Sequence, residues 1–362
     1  MIRQYDSKGQ PKSEPLRINP QAGQVKAWHG GPPTIKVGQD GAVYVGWTAK
    51  VEGAKGAANI LYLSVSRDGG RSFESPVKIN DDFAPASHGM HSLATDNSGR
   101  IYFIWIDERY LNAGKEQAEV KKDSDETYHF EKAAFFHHKE ESKDKSEPNA
   151  ELYFSISNDG GKTFSPNKRL ASNVCPCCKT SLLAASDNRI YVGWRQVLNG
   201  DFRHIAVGVL TDAGNNFSTP VIISDDQWEI SACPVSGPAM AEDANKTLKI
   251  VWFTAGNAGK PGIYYSESKD EGKTFSPRML ISENAVGGTP SLVMDKTKET
   301  KIVWTETGKV MTATLSNEKM NVENRQEIAS GEMPATTLFG GQIYVSFIKK
   351  EKERRNIKLS IK

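Results

Sequence analysis

Short runs of alternating or near-continuous apolar residues recur along the chain, and five of them end in tryptophan: residues 42–47, 101–105, 190–194, 248–252 and 301–304. A sixth run, residues 342–347, puts Phe347 in the aromatic place. Brevity, bounding turn residues and this mixture of periods predict buried strands of stacked sheets rather than helices. The steps from Trp47 through Trp105, Trp194, Trp252 and Trp304 to Phe347 are 58, 89, 58, 52 and 43 residues. Each step has room for a meander of short strands, and the long one implies an insertion. Upstream of every run lies a Gly-, Pro-, His- or Cys-bearing opening, such as Gly31-Pro32-Pro33-Thr34, His88-Gly89-Met90-His91, Cys175-Pro176-Cys177-Cys178 and Cys233-Pro234-Val235-Ser236. The pattern therefore predicts repeated antiparallel units.

A second repeat falls between these runs. Ser66-Arg67-Asp68-Gly69-Gly70-Arg71-Ser72-Phe73 returns as Ser157-Asn158-Asp159-Gly160-Gly161-Lys162-Thr163-Phe164 and as Ser268-Lys269-Asp270-Glu271-Gly272-Lys273-Thr274-Phe275. A worn copy spans residues 210–217, with Asp212 and Gly214 in the matching places. A short carboxylate, a glycine that accepts positive φ and a nearby hydroxyl are the parts of a self-satisfied tight turn. The carboxylates of Asp68, Asp159, Asp212 and Asp270, with Gly70, Gly161, Gly214 and Gly272, are thus expected to be scaffold.

These copies resemble the Asp-box (BNR) motif of the sialidase superfamily. The resemblance implies an all-β fold: a six-bladed β-propeller of four-stranded antiparallel blades, with the Asp boxes between third and fourth strands and a ligand funnel on the opposite face. Residues 14–18 look like an outer strand, and residues 357–361 look like a third strand with no fourth after it. The amino-terminal strand is therefore expected to complete the last blade and close the ring, which removes free edges. The whole chain, residues 1–362, is expected to form this one domain.

Residues 110–149 carry the insertion, dense in Lys, Glu and Asp around Ala133-Ala134-Phe135-Phe136-His137-His138. It reads either as a solvated surface loop or as a lid over the funnel. With 46 basic and 44 acidic residues the formal charge is +2, which favours neither nucleic acid nor an anionic membrane as partner. No apolar run is long enough for a transmembrane segment. The first ten residues are polar, and sialidase-like propellers are commonly exported; the expectation is a periplasmic or secreted protein whose targeting segment is absent from this chain. A monomer with a small-molecule, glycan or metal ligand at the funnel is the expected form.

All four cysteines lie in two of the openings, beside a His-Gly-Met-His. Sulfur and imidazole donors so gathered suit copper or zinc, with Cys175, Cys177, Cys178, Cys233, His88 and His91 as candidate ligands and Met90 or Met333 as an added thioether. An even cysteine count equally fits disulfides between neighbouring loops, and a Cys-x-x-Cys spacing could serve thiol redox chemistry. The resemblance also implies glycoside hydrolysis, which needs convergent arginines and a carboxylic acid. Asp107, Arg109, Arg195, Arg203 and Glu229 are the catalytic candidates. No opening supplies the arginine that known sialidases usually carry in an Arg-Ile-Pro opening, so true sialidase activity is not expected. A non-catalytic carbohydrate- or protein-binding propeller is the remaining alternative.

Overall fold

The computed structural model describes every residue except 27–30, 55–57, 84, 112–148, 200, 230–234, 286–287, 295–298, 316–320, 353 and 362. The central part of the insertion, His29 and Cys233 lie outside the described residues. The chain divides into two compact units, one of Ile18–Thr95 and Gly99–Pro176 and the other of Met1–Arg17, Asp96–Ser98 and Cys177–Lys362.

In the first unit, β1 (Thr34–Val37), β2 (Val43–Lys50), β3 (Asn59–Ser66) and β4 (Val77–Lys78) pair antiparallel in chain order. The same meander repeats in β5 (His88–Thr95), β6 (Ile101–Asp107), β7 (Ala150–Ser157) and β8 (Lys168–Val174). In the second unit, β9 (Ser181–Ala184), β10 (Ile190–Leu198) and β11 (Phe202–Thr211) follow, with the short β12 (Asn216–Phe217) and β13 (Val221–Ile222) both on β11. Then come β14 (Ala239–Glu242), β15 (Leu248–Thr254), β16 (Gly262–Ser268) and β17 (Met279–Ser282), followed by β18 (Ser291–Met294), β19 (Thr300–Glu306), β20 (Lys309–Leu315) and β21 (Val322–Ser330). The last sheet has three strands: β22 (Glu332–Phe339), β23 (Gln342–Glu351) and β24 (Arg354–Ile361).

The described strands group into five sheets, and no ring closes among them. Part of the reason is visible at the amino terminus. Residues 14–18 do not form a ladder with β24 among the described residues; Leu16 bridges Ile2 and Pro11 bridges Tyr5, so the segment folds on itself. Pro11, Pro15 and Pro20 have no N–H to give a ladder. The segment still touches the last sheet, where the Tyr344 hydroxyl donates to the Ser7 carbonyl at 2.9 Å.

The aromatic repeat is the core. Trp47, Trp105, Trp194, Trp252 and Trp304 are each 1% exposed or less, and Phe347 is buried in the sixth position. An indole N–H left unpaired at such a site would cost about 1–3 kcal/mol. Each has an acceptor: Ser64 for Trp47, Asp107 for Trp105, Gln196 for Trp194, Asp226 for Trp252 and Glu306 for Trp304, at 2.7–3.0 Å.

The three intact turns link third to fourth strands with one hydrogen-bond pattern. In the first, Ser72 donates its hydroxyl to Asp68 at 2.6 Å and its N–H at 2.9 Å, Ser66 donates its hydroxyl to Asp68, and the Gly70 N–H donates to the Ser66 hydroxyl. Thr163 with Ser157 around Asp159, and Thr274 with Ser268 around Asp270, repeat it. Hydrogen bonds from Ser72 and Thr274 hold the Asp68 and Asp270 carboxyls well below their ordinary range. Gly161 has φ +90 and packs so close to Leu63 that a Cβ would sit 2.7 Å from its methyl. The worn copy departs for a legible reason: Leu210 and Asn216 stand where the others have hydroxyls, and residues 212–214 form a 3-10 turn closed by the Asn215 N–H on the Asp212 carbonyl.

Candidate metal centre

β8 ends at Val174, and the chain reverses through Cys175-Pro176-Cys177-Cys178 before β9. Proline fixes φ at the second position of such a turn, which brings the first and fourth residues together. Cys175 and Cys178 are 1% exposed, Cys177 is half-buried, and the three Sγ atoms lie within 4.8 Å of one another. Two thiolates on one tetrahedral zinc stand about 3.8 Å apart, so sulfurs within 4.8 Å of one another need only a small closure to share one soft ion. Cys175 and Cys178 are reduced thiols, whereas Cys177 is disulfide-bonded. A sulfur in a disulfide carries no thiolate charge to give to a metal, so ligation by Cys177 and its oxidised state are alternatives. Next in the chain, Lys179 is largely desolvated, which lowers its pKa, and its carbonyl lies where a Cβ on Gly237 would meet it at 1.9 Å. Only glycine fits at 237.

The two histidines on β5 behave differently from each other. His88 is fully buried with both ring nitrogens engaged, Nδ1 at 2.6 Å from the Asn59 carbonyl and Nε2 at 3.1 Å from Asp82. Burial opposes ionisation of Asp82, but hydrogen bonds from His88 and Asn80 hold its carboxyl well below the usual range. His91 is buried with no partner for Nε2 among the described residues; burial pushes its pKa down to about 4 although the Gly46 backbone holds the ring. Neither histidine belongs to the three-sulfur group. Met90 is buried on β5 and Met333 lies near the start of β22.

Of the candidate catalytic groups, Asp107 and Arg109 belong to the first unit and Arg195, Arg203 and Glu229 to the second. Asp107 accepts from Trp105 and from Arg109, whose guanidinium also reaches Asp81 at 2.9 Å and Asn167 at 3.1 Å and lies over the Tyr153 ring. Sequence reasoning missed that this is itself a repeat. Trp252, Asp226 and Arg278 form the same arrangement, as do Trp304, Glu306 and Arg325. Asp107 and Arg109 are one of three Trp–carboxylate–Arg braces among the described residues. Arg203 is buried against Asp201, while Glu229 is exposed and bridges Phe202 through its backbone. Arg195 is fully buried, donates to the Phe253 and Ser236 carbonyls, and lies 4.8 Å from the Trp228 ring. Its Nη1 has no partner among the described residues. Beside Asp107, Glu108 is pushed up to about 7 by burial and by the neighbouring charge.

No family model matches the chain, and no curated protein matches it. Solved structures do. A protein of unknown function from Dyadobacter fermentans superposes with a TM-score of 0.62 at 16% identity, over 95% of this chain and 96% of that one. The intramolecular trans-sialidase from Ruminococcus gnavus gives 0.60 at 16% identity, over 91% and 93%. The NanB sialidase from Streptococcus pneumoniae gives 0.59 at 14% identity, over 96% of this chain and 69% of that one. The fold is therefore that of a sialidase-like β-propeller. At these identities the likeness concerns fold alone.

Proposed function

We propose that this protein is a soft-metal-binding, sialidase-like propeller whose site is the Cys175–Cys178 turn, loaded with copper or zinc. The observation that carries the reading is the approach of three sulfurs within 4.8 Å, two of them buried reduced thiols. Thiolate donors select copper(I) and zinc among common ions. The same reading takes the chain as one domain of six blades and as a monomer without nucleic-acid partners. A disulfide at Cys177 fits an oxidising compartment, periplasmic or extracellular. No described helix is long and apolar enough to cross a membrane. Elemental analysis of protein purified under reducing conditions without added metal tests the reading, together with Cys178→Ser. Stoichiometric copper or zinc, lost in the variant, is expected; metal retained at full stoichiometry by Cys178→Ser places the ion elsewhere.

A second reading, glycoside binding or hydrolysis, is favoured by one feature: the buried Arg195 whose Nη1 has no partner among the described residues, a donor suited to a carboxylate-bearing sugar. Glu229 would be its acid. Turnover of fluorogenic sialosides abolished by Glu229→Gln supports it, and silence across a broad glycoside panel removes it.

A further inference from the structure

We infer that the metal site is switched by the oxidation state of Cys177: the disulfide form is the closed state, and a two-electron reduction by a dithiol creates the third thiolate and opens the site to a soft cation. The inference rests on the metal reading and adds its control. Three observations carry it. The three Sγ atoms are already within 4.8 Å, so no large rearrangement separates the two states. Cys177 alone of the three is held in a disulfide, while Cys175 and Cys178 stay reduced. Cys177 is also the one cysteine of the turn that is only half-buried, Cys175 and Cys178 being 1% exposed. The group that must be reached by a reductant is the accessible one, and the two that must be kept from oxidation are shielded.

The chemistry balances without further reagents. A thiolate of the dithiol attacks one sulfur of the disulfide, the S–S bond breaks, and a mixed disulfide forms as the other sulfur leaves as thiolate. The dithiol's second sulfur then displaces the protein sulfur, so the reductant departs as a disulfide. Two electrons have passed to the protein, and the two thiol protons are available to its sulfurs. Binding of the cation next displaces protons from Cys175, Cys177 and Cys178. Because the ion binds the reduced form far better, it holds Cys177 reduced in turn: at 100-fold over its Kd, the dithiol-to-disulfide ratio rises about 100-fold.

The test uses the full chain in two preparations, one purified without reductant and one reduced with dithiothreitol and desalted under argon. Each is titrated with zinc and with copper(I) against a chromophoric chelator, and thiols are counted by alkylation and mass measurement. The reduced chain is expected to bind one equivalent at least 100-fold more tightly than the oxidised chain. Equal or tighter binding by the oxidised chain overturns the switch and leaves the metal site standing. No binding by either removes the metal reading itself. Cys177→Ser is expected to bind as weakly as the oxidised chain whether or not reductant is present; binding as tight as reduced wild type overturns the role of Cys177. If that variant fails to fold, the two wild-type preparations still decide.

Discussion

The end of β6 and the turn after β8 are both dense in potential ligands and donors, yet they are chemically opposite. At Asp107 the strong donors have acceptors among the described residues: the Trp105 indole, the Arg109 guanidinium and the neighbouring His88–Asp82 pair saturate one another. At Cys175–Cys178 the sulfurs are gathered, and two of them are thiols that a soft ion can deprotonate and take as ligands. Mutual saturation of charges marks a brace, and gathered soft donors in a shaped turn mark a site. A buried charged cluster is thus weaker support for function than a buried cluster that can still coordinate.

The largest expected effect breaks the brace. Asp107→Ala strands the buried Trp105 N–H and removes the buried carboxylate partner of Arg109, which keeps Asp81, and should cost about 3 kcal/mol, read as a lowered denaturation midpoint, with metal stoichiometry unchanged. Equal loss of metal would mean that the two regions are one.

The second effect concerns pH. His91 titrates at about 4 in the folded chain against an ordinary 6.5, so its contribution is fully present above 6.5 and is lost as pH falls towards 4. Glu108 titrates at about 7 against 4.5, so its contribution is present below 4.5 and is lost as pH rises through 7. Each is worth up to about 3 kcal/mol, since a tenfold change in proton affinity corresponds to about 1.4 kcal/mol, and they offset one another between these limits. His91→Gln should unmask Glu108, giving a protein whose chemical-denaturation stability rises on acidification from pH 7 to pH 5. A flat or falling profile would show that Glu108 is not held protonated.

Next comes the turn itself. Cys178→Ser should lower metal affinity about 100-fold, or about 2.7 kcal/mol of binding, while moving the thermal midpoint little compared with Asp107→Ala. Smallest is the contrast among the aspartates. Asp159→Ala removes the acceptor for Ser157 and Thr163 and should cost about 1–2 kcal/mol; Asp212→Ala, in the copy without hydroxyls, should stay within about 0.5 kcal/mol. Equal costs would show that Asp212 holds its turn after all.

Local rules are readable from the chain alone. The run-ending aromatics fall on second strands, and Asp68, Asp159 and Asp270 cap the turns between third and fourth strands, because both features are set by residues within a few positions of each other. The clustering of Cys175, Cys177 and Cys178 is legible for the same reason. The braces are not. Asp107 and Glu306 lie two residues beyond their tryptophans, but Asp226 comes 26 residues before Trp252, and Arg278 and Arg325 reach their carboxylates across 52 and 19 residues. No spacing rule links partners that register alone brings together. His88 reads as a ligand in the sequence because its chain neighbours are donors; its actual partners, Asn59 and Asp82, belong to other strands and loops. The prolines of residues 11–20 are visible in the sequence, but the apolar pattern of residues 14–18 outweighs their effect on a closing strand in any local reading.

The three-stranded last sheet leaves the outer side of β24 without a ladder partner among the described residues. Such a border is a template on which another extended chain can crystallise, and Ile357, 82% exposed, would add an adhesive patch. Its neighbours Arg354 and Arg355 are exposed cations, so two copies approaching border to border would bring like charges face to face. The shelf life of this protein in concentrated solution is therefore expected to shorten with ionic strength, as salt screens the repulsion between borders.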